Sequence, residues 1–159
     1  MCDAIFYDRP KVKVMPPLVF FVFLICAGVL ERWMGIDLGD RLMGLRHVIA
    51  WPLLLFAAYL ALSSWLVFVR AGTHVDPRKP ALKMIEDGPF RITRNPMYLP
   101  LVIVLAALAV LQLSIWFLAA CCGLWVVLDR TAVAPEEVYL EEKFGDLYRG
   151  YKSRVRRWL

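Results

Sequence analysis

Long apolar runs alternate with short polar segments along the chain, and this pattern predicts membrane-spanning helices. One apolar run covers residues 18–30 and a second covers residues 47–69. A third, residues 96–128, is too long for one helix across a hydrocarbon core of ~30 Å but short for two. Because Gln112 and Ser114 interrupt this run at its middle, we expect a tight helical hairpin that turns there, with both arms tilted or reaching less than fully across. The pattern therefore predicts four spans.

The tail, residues 129–159, is strongly charged and carries an amphipathic pattern. Six apolar residues follow one another at spacings of 4, 3, 1, 3 and 4, which places them on one helical face. They are Leu140, Phe144, Leu147, Tyr148, Tyr151 and Val155. We expect an amphipathic helix that lies at the membrane interface or folds back over the bundle. Gly145 and Gly150 are positions at which this helix could break or bend.

Composition supports a membrane protein. Of the 159 residues 60% are hydrophobic, against roughly 45–50% in soluble domains, and the 21% that are charged are gathered between the apolar runs. A soluble globule of this size has too little interior for so much apolar surface, and disordered, collagen-like and disulfide-rich chains are excluded on the same figures. The net charge of +5 does not predict nucleic-acid binding, because the basic residues flank the spans.

The distribution of lysine and arginine predicts the orientation in the membrane. Of the nineteen, three lie in the N-terminal segment, six in residues 70–95, seven in the tail and three in residues 31–46. With four spans both termini share a side, and the positive-inside rule makes that side cytoplasmic. No A-x-A-type cleavage site follows the first apolar run, so we expect a retained helix and not a signal peptide. The central segment and the tail can therefore meet at one membrane face.

The polar segment before the third apolar run is the first candidate site. Asn95 followed by Pro96 predicts a helix start, with the asparagine as N-cap and the proline in the first turn. Free backbone amides and the helix dipole at such a start suit an anionic or carboxylate group, and Arg91 and Arg94 add positive charge. The alternative is a capped helix whose arginines contact lipid headgroups.

An acidic pair in the tail is the second candidate. Glu136 and Glu137 follow Pro135, where they either offset a helix dipole or offer carboxylates to a cationic or hydroxyl-bearing ligand. Asp129 and Arg130 form an interfacial ion pair or belong to the same pocket. The sequence has no P-loop, no dinucleotide fingerprint and no metal-ligand cluster. No charged residue lies within a span, which argues against an ion pump or proton relay.

Two ordered motifs stand in the second half of the chain. The first comprises Gly72-Thr73-His74-Val75-Asp76-Pro77, Gly88-Pro89-Phe90-Arg91 and Arg94-Asn95-Pro96-Met97-Tyr98. The second comprises Pro135-Glu136-Glu137, Leu140, Phe144-Gly145, Tyr148, Tyr151 and Val155-Arg156-Arg157. Together they resemble the superfamily of isoprenylcysteine carboxyl methyltransferases and phospholipid methyltransferases. The resemblance covers residues 70–159, whereas the first two helices agree with that superfamily only in their apolar character.

The resemblance implies an integral-membrane enzyme that uses S-adenosylmethionine without a Rossmann domain. It implies a single domain, residues 1–159, in which residues 1–69 form two N-terminal spans and residues 70–159 form the cofactor site. The implied cofactor-binding residues are Leu82, Lys83, Met84, Ile85, Phe90, Asn95, Pro96, Met97, Tyr98, Glu136 and Glu137. Arg94 or Arg130 would orient the methyl acceptor or the cofactor carboxylate.

Two positions depart from the isoprenylcysteine branch and leave the acceptor open. Asn95 stands where that branch has histidine, which looks more like the phospholipid N-methyltransferase branch. Ala132 stands where that branch has a substrate-binding arginine. We therefore expect a compact member in a bacterial inner membrane, with membrane lipid as partner, no metal and no nucleic acid. The acceptor is a lipid amine, a carboxylate or a thiol, and the alternative function is a non-catalytic membrane scaffold that binds lipid.

Overall fold

The computed structural model describes residues 10, 12, 14–35, 43–72, 76 and 79–159, and all regular secondary structure within them is helical. The N-terminal residues 1–9, the link residues 36–42, and Thr73 to Val75 and Pro77 of the first motif lie outside the described residues. The helices are α1 (Pro16–Met34), α2 (Met43–Ala71), α3 (Leu99–Gln112), α4 (Ile115–Leu128), α5 (Ala134–Phe144) and α6 (Asp146–Arg154). A short 3-10 helix, Gly88–Arg91, precedes α3, and a π-helical turn, Asp129–Val133, joins α4 to α5.

The bundle is built by α3 and α4 at its centre, with α2 packed on α3 and α1 packed on α4. Leu105 of α3 and Leu124 and Leu128 of α4 are fully buried between them. In contrast, α1 and α2 expose large apolar side chains over much of their length, such as Ile25 and Leu55. In water these surfaces would be unfavourable, so their place is against lipid.

Three helices in the described part of the chain are long and apolar enough to cross a membrane. They are α1, residues 44–71 of α2, and the continuous helix Ile115–Phe144. Helix α3 has 14 residues and therefore rises only about 21 Å, short of a ~30 Å hydrocarbon core. The prediction of an all-helical membrane protein is confirmed, and α3 is the hairpin arm that reaches less than fully across.

The predicted hairpin between α3 and α4 is confirmed. Leu113 ends α3 in the left-handed conformation, with φ 49°. The Ser114 hydroxyl caps α4 by accepting hydrogen bonds from the backbone N–H groups of Trp116 and Phe117 at 3.2 and 3.3 Å. The same hydroxyl donates to the carboxylate of Glu31 on α1. One serine thus fixes the turn and joins it to a neighbouring helix.

Two predicted helix ends, the start of α3 and the end of α4, are wrong. Helix α3 begins at Leu99 and not at Pro96, because residues 95–98 form a separate turn. The last apolar helix does not end at Leu128, since the π-helical turn carries it on into α5 and past Pro135.

The amphipathic tail is divided at Gly145, whose φ of +54° favours glycine, while Gly150 lies within α6. Of its predicted apolar face, Tyr148 and Tyr151 are buried, whereas Leu147 is 68% exposed.

Candidate active site

A cavity of about 540 Å³ lies at the end of the bundle where α1 begins, α2 ends and α3 begins. We call this the site end, and the opposite end, where α3 turns into α4, the hairpin end. Pockets for small molecules occupy ~300–1,000 Å³. One side of the cavity is apolar and includes Met15, Pro17, Ala61, Phe68 and Leu101. Its other side carries charged and aromatic side chains from the segment before α3 and from α5 and α6.

The segment before α3 is packed closely against α2. Gly88 has a φ of +61°, and a Cβ atom there would lie 3.2 Å from the side chain of Val67. The buried Ser64 hydroxyl of α2 lies 2.6 Å from the carbonyl oxygen of Leu60 and 3.2 Å from that of Pro96, so that its single proton is shared between the two. Glycine at the start of the 3-10 helix and a small polar residue on α2 thus permit the close approach that places residues 93–98 against the cavity.

From the other side this segment is bound by the C-terminal strap, which we define as Val155–Leu159. The Asn95 amide donates to the carbonyl oxygen of Arg157 at 2.8 Å, and the Thr93 hydroxyl donates to the same oxygen at 3.0 Å. Thr93 also accepts from the backbone N–H of Asn95 at 3.2 Å. The prediction that Asn95 caps α3 is therefore wrong, because its side chain is used to hold the strap.

Arg94 is the most informative side chain in the cavity wall. Its side chain is only 9% exposed, and its Nη2 atom pairs with Glu137 Oε1 at 3.0 Å. Its Nε and Nη1 atoms are buried and donate to no hydrogen-bond acceptor in the described part of the chain. Leaving a buried charged donor unpaired is costly, and native proteins rarely do so without a ligand or water that satisfies it. Arg94 therefore has the capacity to bind an anionic group in this cavity.

The two adjacent glutamates have different partners. Both carboxylate oxygens of Glu137 are occupied, one by Arg94 and both by Arg157, which approaches to 3.2 and 2.6 Å. Glu136 accepts one described hydrogen bond, from the Tyr98 hydroxyl to Oε2 at 2.7 Å. Burial, and then the negative charge of Glu136, raise the pKa of Tyr98 well above its usual range, so its phenol remains a donor. Glu136 is consequently the acid with capacity left for a cationic group.

Aromatic side chains line part of the cavity. The Tyr151 hydroxyl donates to the carbonyl of Phe90 at 2.8 Å, and the Phe90 ring meets Phe68 edge-on with centroids 5.6 Å apart. Burial raises the pKa of both Tyr148 and Tyr151 above the usual value, and the charge of Glu137 adds to the effect at Tyr148. These neutral rings offer apolar and π surfaces next to the charged groups.

Most of the residues singled out from the sequence line this cavity. Those that do are Lys83, Met84, Ile85, Phe90, Arg94, Asn95, Pro96, Met97, Tyr98, Glu136 and Glu137. Leu82 and Arg130 do not: Leu82 is 57% exposed, and Arg130 is exposed on the π-helical turn. Next to Arg130, Asp129 accepts hydrogen bonds from Arg157 and Trp158 instead of pairing with Arg130.

Sequence reasoning did not single out Tyr139, Tyr148, Tyr151 or Arg157 as site residues. The two tyrosines of α6 belong to the amphipathic pattern, which predicted burial but not what they would cover. Arg157 lies in the last five residues, and no local pattern indicates that its side chain returns to α5. In the described part of the chain, no group of three or more His, Cys, Asp and Glu could hold a metal ion.

Comparison with known proteins places this geometry in context. The family model described as phospholipid methyltransferase matches residues 45–147, which include the segment before α3 and the acidic pair. A Haemophilus influenzae protein that carries only the name "Uncharacterized protein" is 45% identical over 68 residues, which is 40% of this chain and 100% of that protein. No solved structure matches the chain significantly.

Proposed function

The chain belongs to the phospholipid methyltransferase family, and on that premise we propose that it transfers a methyl group from S-adenosylmethionine to a lipophilic or small acceptor. The observation that carries this proposal is the buried Arg94 in the cavity wall, whose Nε and Nη1 atoms donate to no acceptor among the described residues. S-adenosylmethionine has a carboxylate that these donors suit, next to an ammonium group that suits a carboxylate.

The residues present fit this cofactor. Arg94 Nε and Nη1 would bind its carboxylate, and Glu136, held by Tyr98, would bind its ammonium group. Phe90, Tyr98 and Tyr148 line the same cavity and offer ring faces to a sulfonium, an interaction worth ~0.5–2 kcal/mol. Glu137 is reassigned from a direct cofactor ligand to a group that holds Arg94, because Arg94 and Arg157 occupy its oxygens.

Methyl transfer requires mainly that the cofactor and the acceptor be held in the right geometry. When bound, S-adenosylmethionine supplies an electrophilic methyl group on its sulfonium sulfur. The chain's own residues would then orient the polar groups through Arg94 and Glu136 and keep water away with the aromatic rings. Holding two reactants in line can account for much of a rate enhancement without any proton transfer by the protein. We therefore assign no general base.

The apolar side of the cavity supports a lipophilic acceptor. Met15 and Pro17, at the start of α1, face this cavity together with Ala61 of α2, and both helices have lipid-type outer surfaces. A lipid amine, a carboxylate and a thiol all remain candidate acceptors. We propose that the site end lies on the cytoplasmic side, because the segments that meet there are the ones richest in lysine and arginine.

Calorimetric titration of the detergent-purified protein tests cofactor binding. We expect saturable binding of S-adenosylmethionine and of S-adenosylhomocysteine, weakened in Glu136→Gln by at least tenfold, since a hydrogen bond to a charged group contributes about 1.5–3 kcal/mol. Glu142→Gln, an exposed acid on the same helix, is the matched control and should bind like the wild type. A folded wild type that binds neither compound contradicts the proposal and favours the lipid-binding scaffold.

Transfer of radiolabelled methyl groups identifies the acceptor class. Incubation of the protein with membranes and methyl-labelled S-adenosylmethionine should place label in an acceptor. Base-labile, volatile label indicates a methyl ester, whereas base-stable label in the lipid fraction indicates N-methylation. Label in a small thioether indicates a thiol acceptor. Absence of any transfer by a protein that binds the cofactor would contradict the methyltransferase assignment.

A further inference from the structure

We propose that Arg157 is a positioning residue that keeps Arg94 available for the cofactor carboxylate. Arg157 does not itself line the cavity, and its effect passes through Glu137, which lies between the two arginines. This inference rests on the proposed function, because it names the group that orients the carboxylate-binding arginine. It also assigns a role to the C-terminal strap, which lies beyond the matched residues 45–147.

The first step of the argument is the geometry at Glu137. Arg157 Nε and Nη2 lie 3.2 and 2.6 Å from the two oxygens of Glu137, a bidentate pair in which each nitrogen donates to one oxygen. Arg94 contributes a single contact, from Nη2 at 3.0 Å. The Glu137 side chain is only 7% exposed, so water cannot readily replace either arginine. Arg157 thus supplies two of the three described contacts to this buried carboxylate.

The second step is what Arg94 would do without Arg157. A guanidinium and a carboxylate prefer the two-point, fork-to-fork arrangement. If Glu137 lost Arg157, its second oxygen would need a donor, and Arg94, which already contacts Glu137 through Nη2, has unpaired donors to offer. Arg94 would then turn toward Glu137 and use a donor that now lies free in the cavity wall. Arg157 prevents this because it already donates to both oxygens of Glu137.

The third step is that the strap holds both Arg157 and the Arg94 segment in place. Arg157 Nη1 contacts both oxygens of Asp129 at 3.2 and 3.3 Å, and the Trp158 indole donates to Asp129 at 3.0 Å. The backbone N–H of Arg94 donates to the carbonyl of Arg156 at 3.0 Å. The guanidinium of Arg157 therefore binds Glu137 of α5, and the carbonyl of Arg157 binds the side chains of Thr93 and Asn95. Arg94 lies between these two contacts.

A comparison of two ligands separates positioning from general damage to the fold. S-adenosylhomocysteine has the carboxylate, whereas 5′-methylthioadenosine lacks the whole amino-acid part and shares the adenosine and sulfur. We expect Arg157→Ala to weaken S-adenosylhomocysteine binding by tenfold or more and to change 5′-methylthioadenosine binding by less than twofold. Arg157→Lys should fall between, because one ammonium cannot reproduce the bidentate pair.

The matched control is Arg154→Ala. Arg154 also pairs with a carboxylate, Glu86 at 2.8 Å, but its side chain is exposed and lies outside the cavity. It should leave the affinities for both ligands unchanged, as expected for a surface ion pair. Equal losses of both ligands in Arg157→Ala would show that the residue merely supports the fold and would overturn the inference. Unchanged binding of S-adenosylhomocysteine would overturn it as well.

Hydrogen exchange in the ligand-free protein provides a readout that does not depend on the cofactor. We expect the backbone amides of residues 93–95 to exchange at least tenfold faster in Arg157→Ala than in the wild type or in Arg154→Ala. Unchanged exchange at these residues would overturn the inference. If the wild type binds neither ligand, the proposed function fails, and the exchange data still decide whether Arg157 positions this segment.

Discussion

The two ends of the bundle are built by different means. At the hairpin end a serine caps α4, and in the middle of the bundle the helices pack through small residues: Ala27 is buried, and Gly123 lies directly against Phe23. At the site end the structure buries Arg94 and Glu137 and surrounds them with further charges. Replacing a buried ion pair by apolar groups of similar volume often leaves stability unchanged or raises it. The charges at the site end therefore point to ligand binding, whereas the hairpin end serves folding.

Substitution of Arg94 should separate affinity from stability most clearly. Arg94→Met removes both unpaired donors, and we expect S-adenosylhomocysteine affinity to fall about 100-fold, roughly 2.7 kcal/mol. Thermal unfolding in detergent should change little, because Glu137 keeps its bidentate pair with Arg157. Arg91→Met, at an exposed arginine paired with Asp87, is the control. A large loss of thermal stability with unchanged S-adenosylhomocysteine affinity would show that Arg94 serves folding and not ligand binding.

Where α4 packs on α1 we expect the opposite outcome, a loss of stability without a loss of cofactor affinity. Gly123→Ala places a Cβ atom 2.6 Å from the ring of Phe23, and such overpacking costs about 2 kcal/mol of unfolding free energy. Gly28→Ala on α1 meets nothing within 4 Å and is the matched control. Cofactor affinity measured by calorimetry should be unchanged in both variants. A selective loss of affinity in Gly123→Ala would mean that helix packing and the cavity are coupled.

A subtler change at the site end concerns Tyr98. Tyr98→Phe keeps the ring but removes the donor to Glu136, so we expect about tenfold weaker binding of S-adenosylhomocysteine, roughly 1.4 kcal/mol. The affinity for 5′-methylthioadenosine, which has no ammonium group, should stay nearly constant. Loss of both affinities to the same extent would assign Tyr98 to the shape of the cavity and not to the orientation of Glu136.

The smallest effect is expected at the turn between α3 and α4. Ser114→Ala removes the cap of α4 and the donor to Glu31, and loss of such a cap costs about 1 kcal/mol of stability. Ser114→Thr, which keeps the hydroxyl, should recover most of this loss. Ligand affinity should not change in either variant. Weaker binding in Ser114→Ala would show that the hairpin end influences the cavity from a distance.

The apolar elements and much of the cavity wall could be predicted from the sequence because their signals are local. Apolar runs located α1 and α2, and the Gln112–Ser114 interruption located the hairpin. The resemblance of the two motifs to a known family implied that Arg94, Tyr98 and Glu136 would belong to one site, and all three line the cavity. Helix ends were less predictable, since the turn before α3 and the continuation past Leu128 depend on tertiary contacts.

The role of the strap could not be predicted, because it depends on contacts between distant parts of the chain. Asn95 and Arg157 are 62 residues apart, and nothing next to Asn95 indicates that a carbonyl there will compete with capping. The difference between Glu136 and Glu137 is equally non-local, since both arginines reach Glu137 whereas Glu136 accepts from the Tyr98 hydroxyl. Adjacent residues of identical chemistry acquire separate roles only in the folded chain.

The π-helical turn Asp129–Val133 sets the angle at which α5 presents its side chains. A π-helical turn accommodates about one more residue than an α-helical turn, and one residue corresponds to a rotation of ~100° about the helix axis. The direction of the Glu136 and Glu137 side chains therefore depends on how residues 129–133 are wound, several positions upstream. If the same residues were wound as an ordinary α-helix, both acids would be rotated by ~100° about the helix axis, although every side chain named in the site remained in the sequence.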